Sequence, residues 1–314
     1  ISSTAKRVAG LVTSAFAAVN ISNVISDAVE EYSGFEQELT NTAAIAGASQ
    51  TEYGQLEAAS REAGMATTKT AGESAAALGY MALAGWDVNE STSALMPVLK
   101  LSESTNLDLA RTSDLVTDSM GALKLEVSEL PEYLDLVTKA QNSSNQTAEQ
   151  LMEAYIRAGG AARSLGIDAK DAGIALGILA NNGTKASEGG RTLNAMLTRI
   201  AANKEAVKQM NALKISIFDA KGNFVGFEEA LKRMNKGLDG LTMEEQAKAL
   251  KKIAGTQYYT KMKYLLDGVK EGADGSESAW DALEKKLSHA EGTLDEMDAK
   301  ITGTMSGSMQ IMNS

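Results

Sequence analysis

The sequence predicts an all-α protein, a multi-helix array of short helical hairpins with one small β-hairpin near residues 215–226. Three observations predict it. Alanine, the best helix former, recurs throughout, while the 314 residues include only 2 prolines. Helix-opening pairs, in which a Ser or Thr is followed three residues later by Glu or Gln, stand at Thr70–Glu73 and Thr147–Gln150. And 28 glycines break up what would otherwise be one rod. The core must be aliphatic, because hydrophobic residues make up 44% of the chain and aromatics only 5%.

In chain order, the first helix is expected over about Thr4–Tyr32, its apolar stripe resuming through Phe35, Leu39 and Ile45. Ser49 or Thr51 caps the next, which ends near Gly64. Thr70 opens a helix that ends at Gly85. Helices follow over Asn89–Leu101, Asn106–Met120 and Glu129–Ala140, with Pro131 in the first turn of the last, where proline is tolerated. Thr147 opens another, running to about Ala158, and Ala169–Asn181 and Ser187–Met210 come next. From Lys214 to Phe227 the pattern changes: β-branched and aromatic residues alternate around Asp219-Ala-Lys-Gly222-Asn223, as in a hairpin. The helical period returns over Glu228–Leu238, Met243–Ile253, Tyr258–Val269 and Ser276–Met297. From Asp298 to Ser314 the chain thins into Gly, Ser and Met, a stretch expected to fray. A start at Ile1 without an initiator methionine is what a processed piece or fragment of a longer chain would show.

Composition excludes several chemistries. With no cysteine there is no disulfide scaffold, Cys-zinc site or thiol nucleophile, and a single histidine, His289, rules out paired-His sites. The net charge of −11 is uneven: residues 1–160 hold 9 Lys+Arg against 21 Asp+Glu, while 161–314 hold 21 against 20. The acidic half is a poor surface for nucleic acid, since neutralising phosphates takes Lys and Arg. Lys204–Lys270 is locally basic, 13 against 8, which reads as a solvated helical face rather than a phosphate track. Val8–Ser26 carries no charge and could just cross a bilayer. Its Thr, Ser and Asn content, and apolar residues at helical spacing, favour an amphipathic helix that packs on protein over a membrane span.

An internal repeat appears when the chain is shifted by 98 residues. Ala77-Leu-Gly-Tyr-Met-Ala-Leu-Ala-Gly85 falls on Ala175-Leu-Gly-Ile-Leu-Ala-Asn-Asn-Gly183, and Thr70 and Glu73 fall on Asp168 and Asp171. This is either a duplicated helix–Gly-turn–helix unit or two hairpins that solved one packing problem separately.

No catalytic constellation emerges. Gly177…Gly183-Thr184-Lys185 lacks the glycine directly before lysine that a phosphate loop needs. Asp219–Asn223 puts Lys221 at a position where a calcium loop wants oxygen. The paired carboxylates Glu30-Glu31, Glu228-Glu229 and Glu244-Glu245 lie on helix surfaces near helix ends, where they complement the dipole. His289 reads as a surface residue in a Lys- and Glu-rich helix, and Tyr258, Tyr259 and Trp280 as scattered, locally packed aromatics. No cofactor or metal is expected.

The order of segments carries further information. Phe35-Glu-x-Glu-Leu39 precedes Gly64-x-x-Thr67, then the capped helix to Gly85 and the Leu95–Leu101 helix. Ser143-Ser-Asn-Gln-Thr147, Gly166-Ile-Asp168 and Leu179-Ala-Asn-Asn-Gly183 follow. Gly189-Gly-Arg-Thr-Leu193, Leu213–Asn223 with Asp219 and Gly222, and Ile253-Ala-Gly255 complete the series. Over about Phe35–Leu266 it resembles the shared core region of tail tape-measure proteins of long-tailed bacteriophages. The resemblance departs at Gly190-Arg-Thr-Leu193, where Gly-Thr-x-Leu is the family pattern, and at the apolar Phe224 and Val225. It implies a structural role without catalysis: a virion protein in the tail-tube lumen or tail tip that helps set tail length during assembly and takes part in DNA ejection. It also implies a homo-oligomer of three or six copies with coiled-coil packing. The implied partners are tail-tube, tail-tip or baseplate hub proteins and tail assembly chaperones, with host-membrane contact at ejection and no specific nucleic-acid sequence. The family-like positions are Gly64, Thr67, Gly85, Gly166, Gly183, Gly189, Leu193, Asp219 and Gly222. Three segments are expected: a long amphipathic N-terminal helix over 1–48, a core helical domain over 49–270, and a C-terminal helix and tail over 271–314. As one rod the chain would span roughly 470 Å at 1.5 Å per residue, but the capped, glycine-broken pattern predicts a compact module instead.

Overall fold

The structure is a computed structural model and describes residues 29–304. The stretch Val8–Ser26, most of the helix expected over Thr4–Tyr32, and residues 305–314 of the expected frayed tail lie outside the described residues. Among the described residues there are fifteen α-helices and no sheet. They fall into two compact units, 29–95 and 96–304.

In the first unit, α1 (residues 29–46), α2 (Gln50–Ala66) and α3 (Ala71–Leu83) pack together, and α4 (Val88–Thr105) begins. Local chemistry sets the boundaries. Ser49 accepts from the Glu52 N–H while the Glu52 carboxylate accepts from the Ser49 N–H, a complete capping box, and Thr70 and Glu73 repeat it at α3. Small residues set the spacing. A Cβ on Gly64 would lie 2.8 Å from the Ala71 nitrogen, so the turn from α2 into α3 can close this tightly only with glycine there. The buried Thr42 hydroxyl of α1 donates to the Ala75 carbonyl of α3 at 2.7 Å, and Gly79 leaves room for it.

The second unit centres on α7 (Ala148–Ser164), which lies between α5 (Leu109–Leu123) and α9 (Ala186–Ala202). Around these stand α6 (Leu130–Gln141, after a 3-10 turn over Val127–Glu129), α8 (Ala169–Asn181) and α10 (Lys204–Ala212). The sequence continues through α11 (Phe227–Leu238), α12 (Met243–Ala254), α13 (Tyr259–Gly268), α14 (Ala279–Leu287) and α15 (Thr293–Thr302). Helix α8 is buried without a break from Ala172 to Ala180, with α13 and α14 lying against it. An all-round apolar helix needs such all-round cover.

Several expectations require correction. The hairpin near 215–226 is not formed: Phe218 and Phe224 make one isolated antiparallel bridge, and no strand flanks it. A two-strand ribbon with no third strand is marginal, and here Ile215 and Ile217 turn into the helical core instead. The helix expected over Ser187–Met210 breaks at Asn203, whose side chain accepts from the Glu205 and Ala206 N–H groups and opens α10. The helix expected over Ser276–Met297 is two, because Gly292 sits at φ +74 before α15. Asn106 also takes a positive φ of 54, so α5 starts at Leu109 under an Asp108 cap. Trp280 packs edge-on against Phe227 at 5.9 Å, a partner distant in sequence and not a local one.

The 98-residue period extends further than the sequence identities. Helices α2, α3 and α4 start at 50, 71 and 88, and α7, α8 and α9 at 148, 169 and 186. The caps agree as well, Ser49 with Thr147 and Thr70 with Asp168. Even the stops coincide: Trp86 N–H bonds the Met81 carbonyl and Thr184 N–H the Leu179 carbonyl, over Gly85 at φ +90 and Gly183 at φ +83. Agreement at three helices, their caps and their terminating bonds marks one duplicated unit.

Candidate functional site: helix crossings and turns

The family-like positions occupy two kinds of place. Gly85, Gly166, Gly183 and Gly222 all take positive φ and end a helix or make a turn, where a side chain would be strained. Gly64, Thr67, Gly189 and Leu193 are buried at packing positions. Thr67 donates to the Ala63 carbonyl at 2.8 Å and ends α2. Leu193 is fully buried on the face of α9 turned to the core. Asp219 holds the 219–223 turn by accepting from the Lys221 and Asn223 N–H groups at 2.8 and 2.9 Å, and these bonds keep its carboxyl below the usual range. The structure does not gather these residues at one centre. They set how closely helices approach and where they stop.

The tightest approach to a neighbouring backbone falls at a residue that sequence reading noted only as a departure from the family pattern. Gly190, next to the expected Gly189, would put a Cβ 2.3 Å from the Ala154 carbonyl oxygen and 2.8 Å from the Ala154 Cα. Gly159 of α7 is also close to α5, with the Ala122 carbonyl oxygen 2.8 Å from an added Cβ. Both neighbours of α7 therefore approach it at backbone distance. Across the same α5–α7 seam, the Arg111 guanidinium binds Glu149 at 3.0 Å and Glu153 at 2.7 Å, with Asp114 at 3.5 Å. The sequence signal was there to be read: paired glycines at 159–160 and 189–190 within helical stretches, which serve close packing when they are not stops.

His289 is exposed, its Nδ1 2.8 Å from the Lys285 carbonyl. Lys185 bonds the Asn145 side chain, and Glu229 and Glu244 pair with Arg233 and Lys248 on their own helices. Among the described residues no three His, Asp or Glu side chains group as a metal site, and no helix is long and apolar enough to cross a membrane. Two carboxyls are raised to about 6. Asp171 rises through burial and the nearby Asp168 charge, and Asp298 through burial and the Glu103 carboxylate. A cleft of about 670 Å³ is lined by residues such as Tyr133, Asp168 and Leu287.

Among the described residues the family-like positions serve helix spacing and helix ends. The family of phage-related minor tail proteins matches residues 57–255. This chain belongs to the phage tail tape-measure family. It is similar to the Tape measure protein of Pneumococcus phage Dp-1, 31% identical over 271 residues that make up 85% of this chain. The chain spans only 23% of that relative's length. No solved structure matches it. The resemblance read from the segment order thus holds, and the protein is a component of a phage tail.

Proposed function

We propose that this chain is a compact structural module of a tape-measure protein, seated in the tail-tube lumen or at the tail tip. As part of the longer chain it helps set tail length during assembly and takes part in DNA ejection, and it turns over no substrate. Its partners are further copies of itself, three or six, with tail-tube, tip or baseplate hub proteins and assembly chaperones. The observation that carries the reading is the pairing of family membership with many short, separately capped helices. A ruler needs extension, and this segment is divided into short helices within two compact units. The extended ruler then belongs to other parts of such a protein. A core of Leu, Ala and Met with few aromatics also suits a module that must rearrange to pass a narrow channel.

In-frame removal of this segment from its phage, followed by imaging of tails, tests the reading. If it is a compact module, tails either fail to assemble or keep their length to within a fraction of the roughly 470 Å that a rod would supply. Tails shortened by that full amount would show that the segment is extended in the tube. A zymogram on bacterial cell walls tests the absence of catalysis, and clearing by this chain would refute it.

A further inference from the structure

The two halves of the internal repeat are not covered alike. On α3, Ala76, Tyr80 and Leu83 stand at i, i+4 and i+7, so they share one face. Tyr80 is 38% exposed and Leu83 68% exposed. The 98-residue period aligns Ala76 and Tyr80 with Ile174 and Ile178 of α8, and both isoleucines are buried. Helix α13 lies against α8 there, so close that a Cβ on Gly268 would be 2.9 Å from the Ile178 Cδ1. Leu83 aligns with Asn181, a polar residue at an exposed site. Scattered exposed leucines are ordinary. An apolar pair on one face, where the sister repeat is either covered by a small residue or polar, marks a contact surface.

We infer that this face of α3 docks on the α9–α10 corner of a second molecule of the chain, with Leu83 seated against Ala201 and Ala202. Charge selects that partner surface. Residues 29–95 carry 10 Asp+Glu and 2 Lys+Arg, a net of −8, whereas Lys204–Lys270 carries 8 and 13, a net of +5. Two first units facing each other repel, and a first unit facing the basic stretch is attracted. Shape narrows the choice. Where α9 ends and α10 begins, a hollow of about 440 Å³ is lined by Ala201, Ala202, Lys204, Val207, Lys208 and Asn211. Its alanines offer a leucine what Gly268 offers Ile178, and no carboxylate lines it. Glu73 and Asp87, before and after the apolar pair in sequence, supply counter-charge for Lys204 and Lys208. The groove lined by α11, α12 and α13 fits less well, because Asp239 and Asp267 stand beside Lys263 and Lys270 in it. A contact between unlike surfaces repeats from one molecule to the next and closes into a ring where its rotation allows. The inference rests on the further copies proposed above, and not on the place of the module in the tail.

The chain contains no cysteine, so introduced thiols report cleanly. Leu83→Cys chains and Ala202→Cys chains, carrying different tags, are mixed and mildly oxidised. The mixed crosslink should exceed the Leu83→Cys homodimer at least about tenfold, because like-charged units repel. Met243→Cys, at a position 83% exposed but outside the contact, should not crosslink to Leu83→Cys. Sedimentation velocity should show self-association of the native chain that Leu83→Glu weakens at least about tenfold, as loss of one buried leucine requires. Lys204→Glu with Lys208→Glu, and separately about 1 M NaCl, should weaken it too. A Leu83→Cys homodimer as the main product, equal crosslinking to Met243→Cys, or a native chain monomeric up to about 1 mM would each overturn the inference. Self-association that Leu83→Glu leaves intact would remove this contact while leaving the further copies in place. Leu83, Ala202 and both lysines are exposed, and far-ultraviolet circular dichroism on each variant confirms that the helical fold is present.

Discussion

Gly190→Ala tests whether backbone-level approach of α9 to α7 holds the second unit together. The added methyl would sit 2.3 Å from the Ala154 carbonyl oxygen, 2.8 Å from its Cα and 2.8 Å from the Arg157 Cβ, where 3.4 Å is ordinary contact. Two of those three atoms are backbone, so no side chain can swing aside. The helices must part by about 1 Å, which loosens contacts around the buried Leu193, Met196 and Leu197 on the same face of α9. Overpacking of this kind costs about 1–3 kcal/mol, and alanine recovers up to about 1 kcal/mol over glycine in a helix interior. The backbone partners place this site at the upper end, leaving a net loss of about 2 kcal/mol. For a unit of this size that lowers the midpoint by about 4–8 °C. Gly160→Ala is the control: it lies in α7, and nothing stands within 4 Å of its added Cβ, so it should raise the midpoint slightly. Thermal unfolding followed at 222 nm reads both. A Gly190→Ala midpoint equal to or above that of the native chain would refute the close-crossing argument.

Three further outcomes are expected. Arg111→Leu leaves Glu149 and Glu153, one turn apart on α7, without their shared guanidinium and should cost about 1 kcal/mol at low salt, less in 1 M NaCl, measured by urea unfolding at both ionic strengths. Asp298 is raised to about 6 by burial and Glu103, so the folded chain binds its proton more tightly than the unfolded one does. Its stabilising effect is therefore full below the ordinary carboxyl range and is lost as pH rises through about 6; hydrogen exchange of α15, corrected for intrinsic rates, should quicken from pH 5 to 7.5, and Asp298→Asn should flatten that change. Thr147→Ala removes the hydroxyl that caps α7 and should cost about 1 kcal/mol in the same unfolding assay, while Thr147→Ser should cost much less.

Helix starts were the most legible part of the chain. Ser49, Thr70, Thr147 and Asp168 act through groups two or three residues away, so their effect can be read from a short window of sequence. Glycine stops at 85 and 183 were legible for the same reason, since a left-handed residue is needed wherever the chain turns back. Breaks without such punctuation were not. Asn203 can continue a helix or cap a new one, and only the packing of α10 against α9 and α12 selects the second. Nor does any local rule show that Asp135 of α6 accepts from the Gly292 and Leu294 N–H groups and so fixes the start of α15.

What the sequence determined by itself is the class of protein: all-α, aliphatic, cysteine-free, punctuated into short helices, and ordered like a tape-measure core. Those properties depend on composition and on neighbours along the chain. Tertiary structure decided which glycines matter for spacing, that the 215–226 segment forms a turn and not a hairpin, and that three successive helices share one period. A side chain's consequence there depends on what another helix places against it. Gly160 and Gly190 read alike in sequence, yet one faces open space and the other the backbone of α7.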